Sequence, residues 1–274
     1  MILFSNAKIN LGLEVVRQRQ DGYRDIESVF CPVDFCDVLE SHENPQGEDE
    51  LIVSGLAIPG DPRQNLCFKA LKALRKRVDV PPQRIHLLKA IPMGAGLGGG
   101  SADAAFLIKG LNEKYKFGLS KAECVTVAAE VGSDCPFFIY NVPALVTGRG
   151  EHIEPIELDL GQTHVLIALP GIHVDTAQAY AHTQPMPPKT GVAEAIRLPL
   201  TEWKKHLRNR FEEHAFSLHP EIGKIKEAMY DAGAVYASMT GSGSAVIGLF
   251  AHRTPAVNFG GGVTSVAARP LGAK

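Results

Sequence analysis

Hydrophobic and polar positions alternate along the first residues of the chain, which is the pattern of a half-buried β-strand. The alternation covers 2–17 and puts Lys8 and Asn10 on one face, because residues two apart in a strand share a face. A turn with Asp-Gly at its centre follows at 19–23, and an apolar return strand follows at 26–35. The pattern therefore predicts an N-terminal β-hairpin.

Apolar residues recur at helical spacing in several later segments, and apolar runs of strand length lie between them. Helices are predicted at 65–77 behind an Asn65 cap, from Ser101 or Asp103 to Leu111, at 120–131 behind a Ser120 cap, at 200–218 and at 220–232, where Gly233 ends the helix. Strands are predicted at 51–54, at 84–90, directly after Pro136, at 164–169, at 234–239 and at 245–250. The mixture predicts an α+β (α/β two-layer) fold, and a boundary near 158 gives domains 1–158 and 159–274.

The composition excludes a mainly disordered chain, because 45% of the 274 residues are apolar. The net charge is −2, so the chain lacks the basic excess of nucleic-acid-binding domains, and we expect no nucleic-acid partner. The five cysteines include no CxxC pair, which indicates reduced thiols. We find neither a signal peptide nor an apolar run of membrane-spanning length, and we expect a cytoplasmic protein with no membrane partner.

Glycine is over-represented, with 27 residues, and it clusters at 94–100, 241–243 and 260–262. Glycine lets the backbone adopt conformations and close approaches that a Cβ would prevent. Its clustering therefore indicates loops whose backbone closely approaches another group.

The first cluster has several interpretations. Gly94, Gly96 and Gly99 fit a dinucleotide-binding fingerprint, but no second strand with an acidic residue follows at the required distance. A P-loop would need lysine where Gly100 stands. A tight helix-packing turn would need fewer glycines. The remaining interpretation is a phosphate cradle of another kind, in which backbone N–H groups and the N-terminus of the next helix bind an anion.

Motifs in five segments carry a resemblance to one family. The segment 92–105 resembles the phosphate-binding motif of the GHMP kinases, which include galactokinase, homoserine kinase and mevalonate kinase. The segments 6–11, 21–30 and 132–138 resemble the branch of that family that phosphorylates a cytidine-diphosphate-linked methylerythritol, and 239–245 resembles the third glycine-rich loop of the family. The motifs occur in the same order, over about residues 5–250.

The resemblance implies two α/β domains with the active site in the cleft between them. It implies transfer of the γ-phosphoryl group of ATP, with Mg²⁺, to the 2-hydroxyl of the cytidine-diphosphate-linked methylerythritol, a step of the non-mevalonate route to isoprenoid precursors. We expect a monomer or a homodimer, and the sequence names no metal ligands. The alternatives are another GHMP kinase, of the homoserine or mevalonate type, and a non-catalytic binding module.

The resemblance implies catalytic roles for two residues. Asp134 would be the general base that accepts the proton of the hydroxyl, and Lys8 would pair with it and offset charge on the transferring phosphoryl group. From the residues alone, Asp134 is equally readable as a turn residue and Lys8 as a lysine on a solvated strand.

The resemblance also implies two binding sets. The ATP-binding set is Asn65, Leu66, Lys89, Pro92, Met93, Gly94, Ala95, Gly96, Leu97, Gly98, Gly99, Gly100 and Ser101. The substrate-binding set is Asn10, Tyr23, Arg24, Thr176, Tyr180, Thr240, Gly241, Ser242 and Gly243, with the two tyrosine rings on opposite faces of the cytosine. Simpler interpretations stay open: Asn65 and Ser101 as helix caps, the tyrosines as ordinary packing, and 240–243 as a tight turn.

The chain departs from the family pattern at two positions. Arg24 stands where the family has a histidine that reads cytosine, and an arginine donates hydrogen bonds but accepts none. Arg210 stands where the family usually has aspartate, on a predicted helix. These departures bear on substrate detail rather than on kinase chemistry.

Overall fold

The computed structural model describes residues 1–273 and shows an α+β chain, as the sequence predicts. The strands are β1 (Ile2–Gln18), β2 (Arg24–Glu43), β3 (Glu50–Gly55), β4 (Gln83–Lys89), β5 (Ala144–Gly148), β6 (His152–Pro155), β7 (His164–Leu169), β8 (Tyr236–Met239), β9 (Val246–Phe250) and β10 (Thr264–Ala268). The helices are α1 (Leu66–Leu74), α2 (Gly99–Tyr115), α3 (Lys121–Val131), α4 (Cys135–Tyr140), α5 (Thr176–His182), α6 (Val192–Ala195), α7 (Trp203–His206), α8 (Glu212–Leu218) and α9 (Pro220–Asp231).

The described residues form two compact units that are interleaved along the chain. Unit 1 contains 1–7, 36–93 and 98–141, and unit 2 contains 8–35, 94–97 and the chain from Val142 onwards. The predicted domains 1–158 and 159–274 are continuous segments, and that division stays a prediction.

Unit 1 combines strands with four helices. Strand β3 is parallel to β4, and β4 is antiparallel to the second half of β2, with Leu51 opposite Ile85 and Val38 opposite Leu88. Helix α2 lies against α1, α3 and α4, and its alanine-rich face is fully buried. The Ser120 cap is confirmed, because Ser120 and Glu123 form a reciprocal capping box at the start of α3.

Unit 2 contains an antiparallel sheet in the order β10-β7-β9-β8, and α9 packs on β8 and β9. The first half of β2 pairs with β5, and β5 pairs with β6. The predicted hairpin is confirmed, because β1 pairs with β2. Gly233 follows α9 with φ +94°, which confirms its predicted place at the end of that helix.

The predicted strand after Pro136 is wrong, because these residues form α4. Pro136 stands in the first turn of that helix, where its missing N–H costs nothing, and Phe137 and Phe138 are fully buried. A short, wholly apolar run does not distinguish a buried strand from a buried helix.

The predicted helix over 200–218 is also wrong, because the chain is extended between α7 and α8. Leu13 of β1 donates its N–H to the Arg208 carbonyl and accepts from the N–H of Arg210, so this segment pairs with a strand. Helix α2 begins at Gly99 rather than at Ser101 or Asp103, because Gly98 has the left-handed φ of +72° and takes the cap position.

Candidate active site

Lys8 is a buried lysine on β1, with 3% of its surface exposed. Its Nζ donates a hydrogen bond of 2.7 Å to Asn10 Oδ1 and lies 4.3 Å from the centroid of the Phe30 ring. The prediction that Lys8 and Asn10 share a face is thereby confirmed. The ring face and the amide oxygen both present negative partial charge to the ammonium group.

Asn10 connects Lys8 to the third glycine-rich loop. Its Oδ1 also accepts from the N–H of Gly241 at 2.8 Å, and its own N–H donates to Thr240 Oγ1 at 3.0 Å. Its Nδ2 donates to Ser28 Oγ at 2.8 Å. The amide therefore holds two strands and a loop together, which requires a side chain that both donates and accepts. Its predicted contact with substrate stays a prediction.

Two glycine-rich loops pack directly on each other in unit 2. A Cβ on Gly96 would lie 2.0 Å from the carbonyl oxygen of Thr240, and a Cβ on Gly241 would lie 2.9 Å from Cα of Gly96. The N–H of Ala245 donates to the Ala95 carbonyl at 3.2 Å. Glycine at 96 and 241 is thus required by backbone packing, whatever ligand the loops bind.

The later part of the first glycine-rich loop forms the N-terminus of α2 in unit 1. The N–H groups in the first turn of a helix have no acceptors within the helix. Gly98 occupies the cap position and has no side chain that could accept from them. A Cβ on Gly100 would lie 3.7 Å from Cδ1 of Leu66, and one on Gly99 would lie 2.8 Å from Nζ of Lys89. Unit 1 therefore brings Leu66 and Lys89 beside this helix N-terminus, and the ATP-binding role of the set stays a prediction.

Lys89 points into the protein rather than to its surface. Its Nζ forms ion pairs with Asp37 and, at 3.2 Å, with Asp103, and its side chain is 1% exposed. Burial, with the charge of Asp37, raises the pKa of Asp103 to about 6 despite the attraction of Lys89. The predicted contact of Lys89 with ATP stays a prediction.

A cavity of about 390 Å³ lies in unit 1 beside Asn65. Besides Asn65, it is lined by Leu51, Val53, Ser54, Gly55, Leu56, Ala57, Ile58 and Pro62. Asn65 also caps α1, because its Oδ1 accepts from the N–H of Cys67 at 2.9 Å. The lining is mostly apolar with few polar groups, which suits a flat heterocycle.

Asp134 is half-buried in the turn that precedes α4. The next residue, Cys135, is fully buried, and this burial raises the pKa of its thiol to about 12. Ser101 stands in the first turn of α2. A Cβ on Gly132 would lie 3.2 Å from Cys135 Sγ and 4.0 Å from Ser101 Oγ. The turn that carries Asp134 therefore lies beside the N-terminus of α2.

Four residues of the predicted substrate-binding set lie on or beside α5 in unit 2, namely Arg24, Thr176, Tyr180 and Ser242. Arg24 Nη2 donates to the Ala181 carbonyl at 3.4 Å, and Thr176 Oγ1 lies 2.8 Å from Ser242 Oγ. The Tyr180 ring packs edge-on against Phe211, with centroids 4.8 Å apart.

Tyr23 differs from Tyr180 because 57% of it is exposed. Its ring centroid lies 4.6 Å from the guanidinium carbon of Arg149. A contact between these tyrosines and a base stays a prediction.

Sequence reasoning left Asn209 without a role. Its Nδ2 donates to the carbonyls of Met239 and Gly241, each at 2.8 Å, so it fixes the third glycine-rich loop. Arg208 and Arg210 flank it and contact Glu14, whose pKa is raised because burial outweighs their attraction. The only local signal is an Asn between two arginines, which gives no hint of partners thirty residues away.

Residues 1–273 contain neither a metal-binding cluster nor a membrane-spanning helix. No group of three or more His, Cys, Asp or Glu side chains is arranged to hold a metal ion. No helix in this range is both long and apolar enough to cross a membrane.

Comparison with known proteins defines the class of this chain. Residues 65–142 match the family model for the GHMP kinases N terminal domain, and residues 192–266 match the model for the GHMP kinases C terminal domain. These segments contain α2, α4 and the third glycine-rich loop described above. The match defines a small-molecule kinase that uses ATP as phosphoryl donor.

Relatives over nearly the whole chain narrow the class. A 4-diphosphocytidyl-2-C-methyl-D-erythritol kinase of Parabacteroides distasonis is 47% identical over 93% of both chains, and one of Bacillus cytotoxicus is 37% identical over 92% of this chain and 89% of its own. A crystal structure of 4-(cytidine 5′-diphospho)-2C-methyl-D-erythritol kinase superposes with a TM-score of 0.76 and 31% identity, covering 91% of this chain and 90% of its own. The chain belongs to this family of GHMP kinases.

The same fold occurs in more distant kinases. The structure of Methanococcus jannaschii mevalonate kinase has a TM-score of 0.69 at 16% identity, over 99% of this chain and 98% of its own. This likeness concerns the fold alone.

Proposed function

We propose that this kinase transfers the γ-phosphoryl group of ATP to the 2-hydroxyl of 4-diphosphocytidyl-2-C-methyl-D-erythritol, in the non-mevalonate route to isoprenoid precursors. Support for the acceptor comes from the names of the relatives, which match nearly the whole chain. The observation that carries the kinase geometry is the close packing of the 132–135 turn on Ser101 in the first turn of α2, where a Cβ on Gly132 would lie 3.2 Å from Cys135 Sγ and 4.0 Å from Ser101 Oγ. It puts the Asp134 turn beside the helix N-terminus that we assign to phosphate.

ATP would bind to unit 1 in two parts. The apolar cavity beside Asn65 and Leu66 suits adenine, and the first turn of α2 suits the phosphates. Free N–H groups and the positive end of the helix dipole both favour an anion there. Gly99 and Gly100 present no side chain in the way of phosphate oxygens, which supports a close approach of the backbone.

Asp134 would accept the proton of the attacking hydroxyl, and Lys8 would offset negative charge on the transferring phosphoryl group. A half-buried carboxylate is open to a substrate on one side and shielded from bulk water on the other. The Lys8 ammonium is held in one position by Asn10 and Phe30, so it would not need to reorganise during transfer.

Mg²⁺ would arrive with the nucleotide rather than occupy a site built by the protein. Mg²⁺ usually keeps several waters and binds through phosphate oxygens and one or two protein groups, so the absence of a three-residue cluster within residues 1–273 fits this role. Ser101, in the first turn of α2, is the residue we assign to its coordination sphere. When bound, the ion neutralises charge on the β- and γ-phosphates.

The acceptor would bind to unit 2. The exposed ring of Tyr23 and the ring of Tyr180 are the aromatic surfaces we assign to cytosine, with stacking worth about 1–3 kcal/mol per base. The hydroxyls of Thr176 and Ser242 would supply donors for the diphosphate. The 240–243 loop would shape the pocket around it, since the N–H groups of Thr240, Gly241 and Gly243 already donate within the protein. We assign the reaction to the cytoplasm, where thiols such as those of Cys31, Cys67, Cys124 and Cys135 stay reduced.

An ADP-release assay with matched acceptors tests the proposal. We expect ATP turnover that depends on 4-diphosphocytidyl-2-C-methyl-D-erythritol and that is at least about a hundredfold slower with homoserine or mevalonate, since those lack a base to stack. Phosphorylation of the 2-hydroxyl is checked by phosphorus NMR of the product. Equal turnover with mevalonate would contradict the assignment of the acceptor.

A further inference from the structure

Three charged side chains are buried together beneath the first glycine-rich loop. Asp37 is fully buried, and Lys89 and Asp103 are each 2% exposed. They come from β2, from the end of β4 and from α2, so the network joins three elements of unit 1. Burying two carboxylates and one ammonium costs more free energy than an apolar core of the same volume, so stability alone gives no reason to keep them.

Asp37 fixes the residues that lead into the loop. Its Oδ1 accepts from the N–H of Ala90 at 2.6 Å and from the N–H of Ile91 at 2.8 Å, and its other oxygen contacts Lys89 Nζ. Pro92 follows at once. One carboxylate therefore determines the direction in which the chain leaves β4.

Asp103 fixes the residues that lead out of the loop. It stands on α2, where its Oδ2 accepts from Lys89 Nζ at 3.2 Å and its Oδ1 accepts from Ser5 Oγ at 2.6 Å. The Lys89 ammonium also lies directly against Gly99, because a Cβ at that position would be 2.8 Å from Nζ. The first turn of α2 is thus held to β4 through Lys89.

We infer that Asp37 and Asp103 are positioning residues for the phosphoryl donor, which act through Lys89 to fix both ends of the glycine-rich loop. A phosphate bound by several N–H groups needs them in one geometry, and a loop of this glycine content would otherwise lose much conformational entropy on binding. Fixing the ends of the loop in advance removes part of that cost. The inference rests on the assignment of α2 to phosphate in the proposed function.

The test is nucleotide affinity, measured by calorimetry with ADP and with a non-hydrolysable ATP analogue. We expect Asp103→Asn and Asp37→Asn each to raise the Kd about tenfold, the effect of losing a hydrogen bond to a charged group. In steady-state turnover, we expect the KM for ATP to rise by a similar factor, while the KM for the acceptor stays within about twofold of the wild-type value. A general loss of structure would raise both KM values.

Asp49→Asn is the matched control. Like Asp37, Asp49 accepts hydrogen bonds from a basic side chain and from backbone N–H. Its partners are the Arg75 guanidinium at 2.8 Å and the N–H of Gln83 at 2.9 Å, at the end of β4 opposite to Lys89. We expect nucleotide affinity within about twofold of the wild type. Unchanged or tighter binding in a folded Asp103→Asn variant, or an equal loss in Asp49→Asn, would overturn the inference.

Ser5→Ala keeps the inference testable if the aspartate variants do not fold. It removes one hydrogen bond to Asp103 without changing any charge, and we expect a Kd about threefold higher in a variant that stays folded at the assay temperature, as its circular dichroism spectrum checks. Unchanged affinity in Ser5→Ala would count against the role of Asp103. A wild-type protein that binds ATP but does not phosphorylate the proposed acceptor would contradict only the choice of acceptor, because the nucleotide affinities are measured without an acceptor.

Discussion

Gly96 and Thr240 touch through their backbones, so closely that a Cβ on Gly96 would lie 2.0 Å from the Thr240 carbonyl oxygen. They are 144 residues apart in the chain. Thr240 Oγ1 also donates a hydrogen bond of 3.2 Å to the Gly96 carbonyl oxygen. The first and third glycine-rich loops therefore support each other, and the glycine content of one is set partly by the other.

Gly96→Ala should lower the free energy of unfolding by about 2–4 kcal/mol, because it combines a positive φ of +78° with a clash against backbone. The measurement is the urea midpoint followed by circular dichroism. Gly118→Ala is the control, since its φ is +73° and a Cβ there would meet nothing within 4 Å. It should cost only about 1 kcal/mol. Equal costs for the two variants would show that the close contact carries no weight.

Asp134→Asn should reduce turnover by at least about a hundredfold while ATP binds with nearly the affinity of the wild type, because an amide does not accept the hydroxyl proton. The measurement pairs steady-state turnover with calorimetric ATP affinity. Ser133→Ala, at the exposed neighbouring residue, serves as control and should turn over normally. Undiminished turnover in Asp134→Asn would remove Asp134 from the mechanism.

Arg24→His should keep kcat/KM for the cytidine substrate or raise it. Arg24 makes one long hydrogen bond, of 3.4 Å, to the Ala181 carbonyl, and its buried Nη1 has no hydrogen-bond acceptor within residues 1–273. Histidine removes that unsatisfied donor and adds an acceptor that the amino group of cytosine can use. The measurement is kcat/KM with saturating ATP, and a loss beyond about tenfold would show that Arg24 has a specific role.

Asp103→Asn should change how stability depends on pH. Burial raises the pKa of Asp103 from 3.8 to about 6, so the folded state binds more protons than the unfolded state between these values. The contribution of Asp103 to wild-type stability therefore falls as pH rises through this window, and the penalty persists above it. Between pH 4 and pH 6, the free energy of unfolding of the variant should rise by about 1–3 kcal/mol relative to that of the wild type. Urea titrations across this pH range measure the free energy of unfolding of both proteins. Parallel pH profiles for the variant and the wild type would contradict the raised pKa of Asp103.

Local signals predicted much of this molecule correctly. The alternation around Lys8 and Asn10, the Asn65 and Ser120 caps and the Gly233 stop are each decided by a few neighbouring residues. Capping and strand alternation act over one or two turns, so a sequence displays them directly.

The misses share a non-local cause. The segment around Asn209 has helical periodicity, but pairing with Leu13 and hydrogen bonds to carbonyls some thirty residues away keep it extended. The two carboxylates that enclose Lys89 come from other elements, so its ion pairs are likewise invisible in the local sequence. Such partners are set by tertiary packing, which overrides local propensity.

The interleaving of the two units has a consequence during synthesis. Residues 8–35 contain fully buried side chains such as Ile9 and Leu11, yet their unit is completed only by chain from Val142 onwards. At about 5–20 residues per second, the ribosome delivers β5 roughly 5–20 s after these residues. Unit 1 has all of its segments once Asn141 emerges. The nascent chain thus carries a hairpin whose apolar side chains stay exposed during that interval.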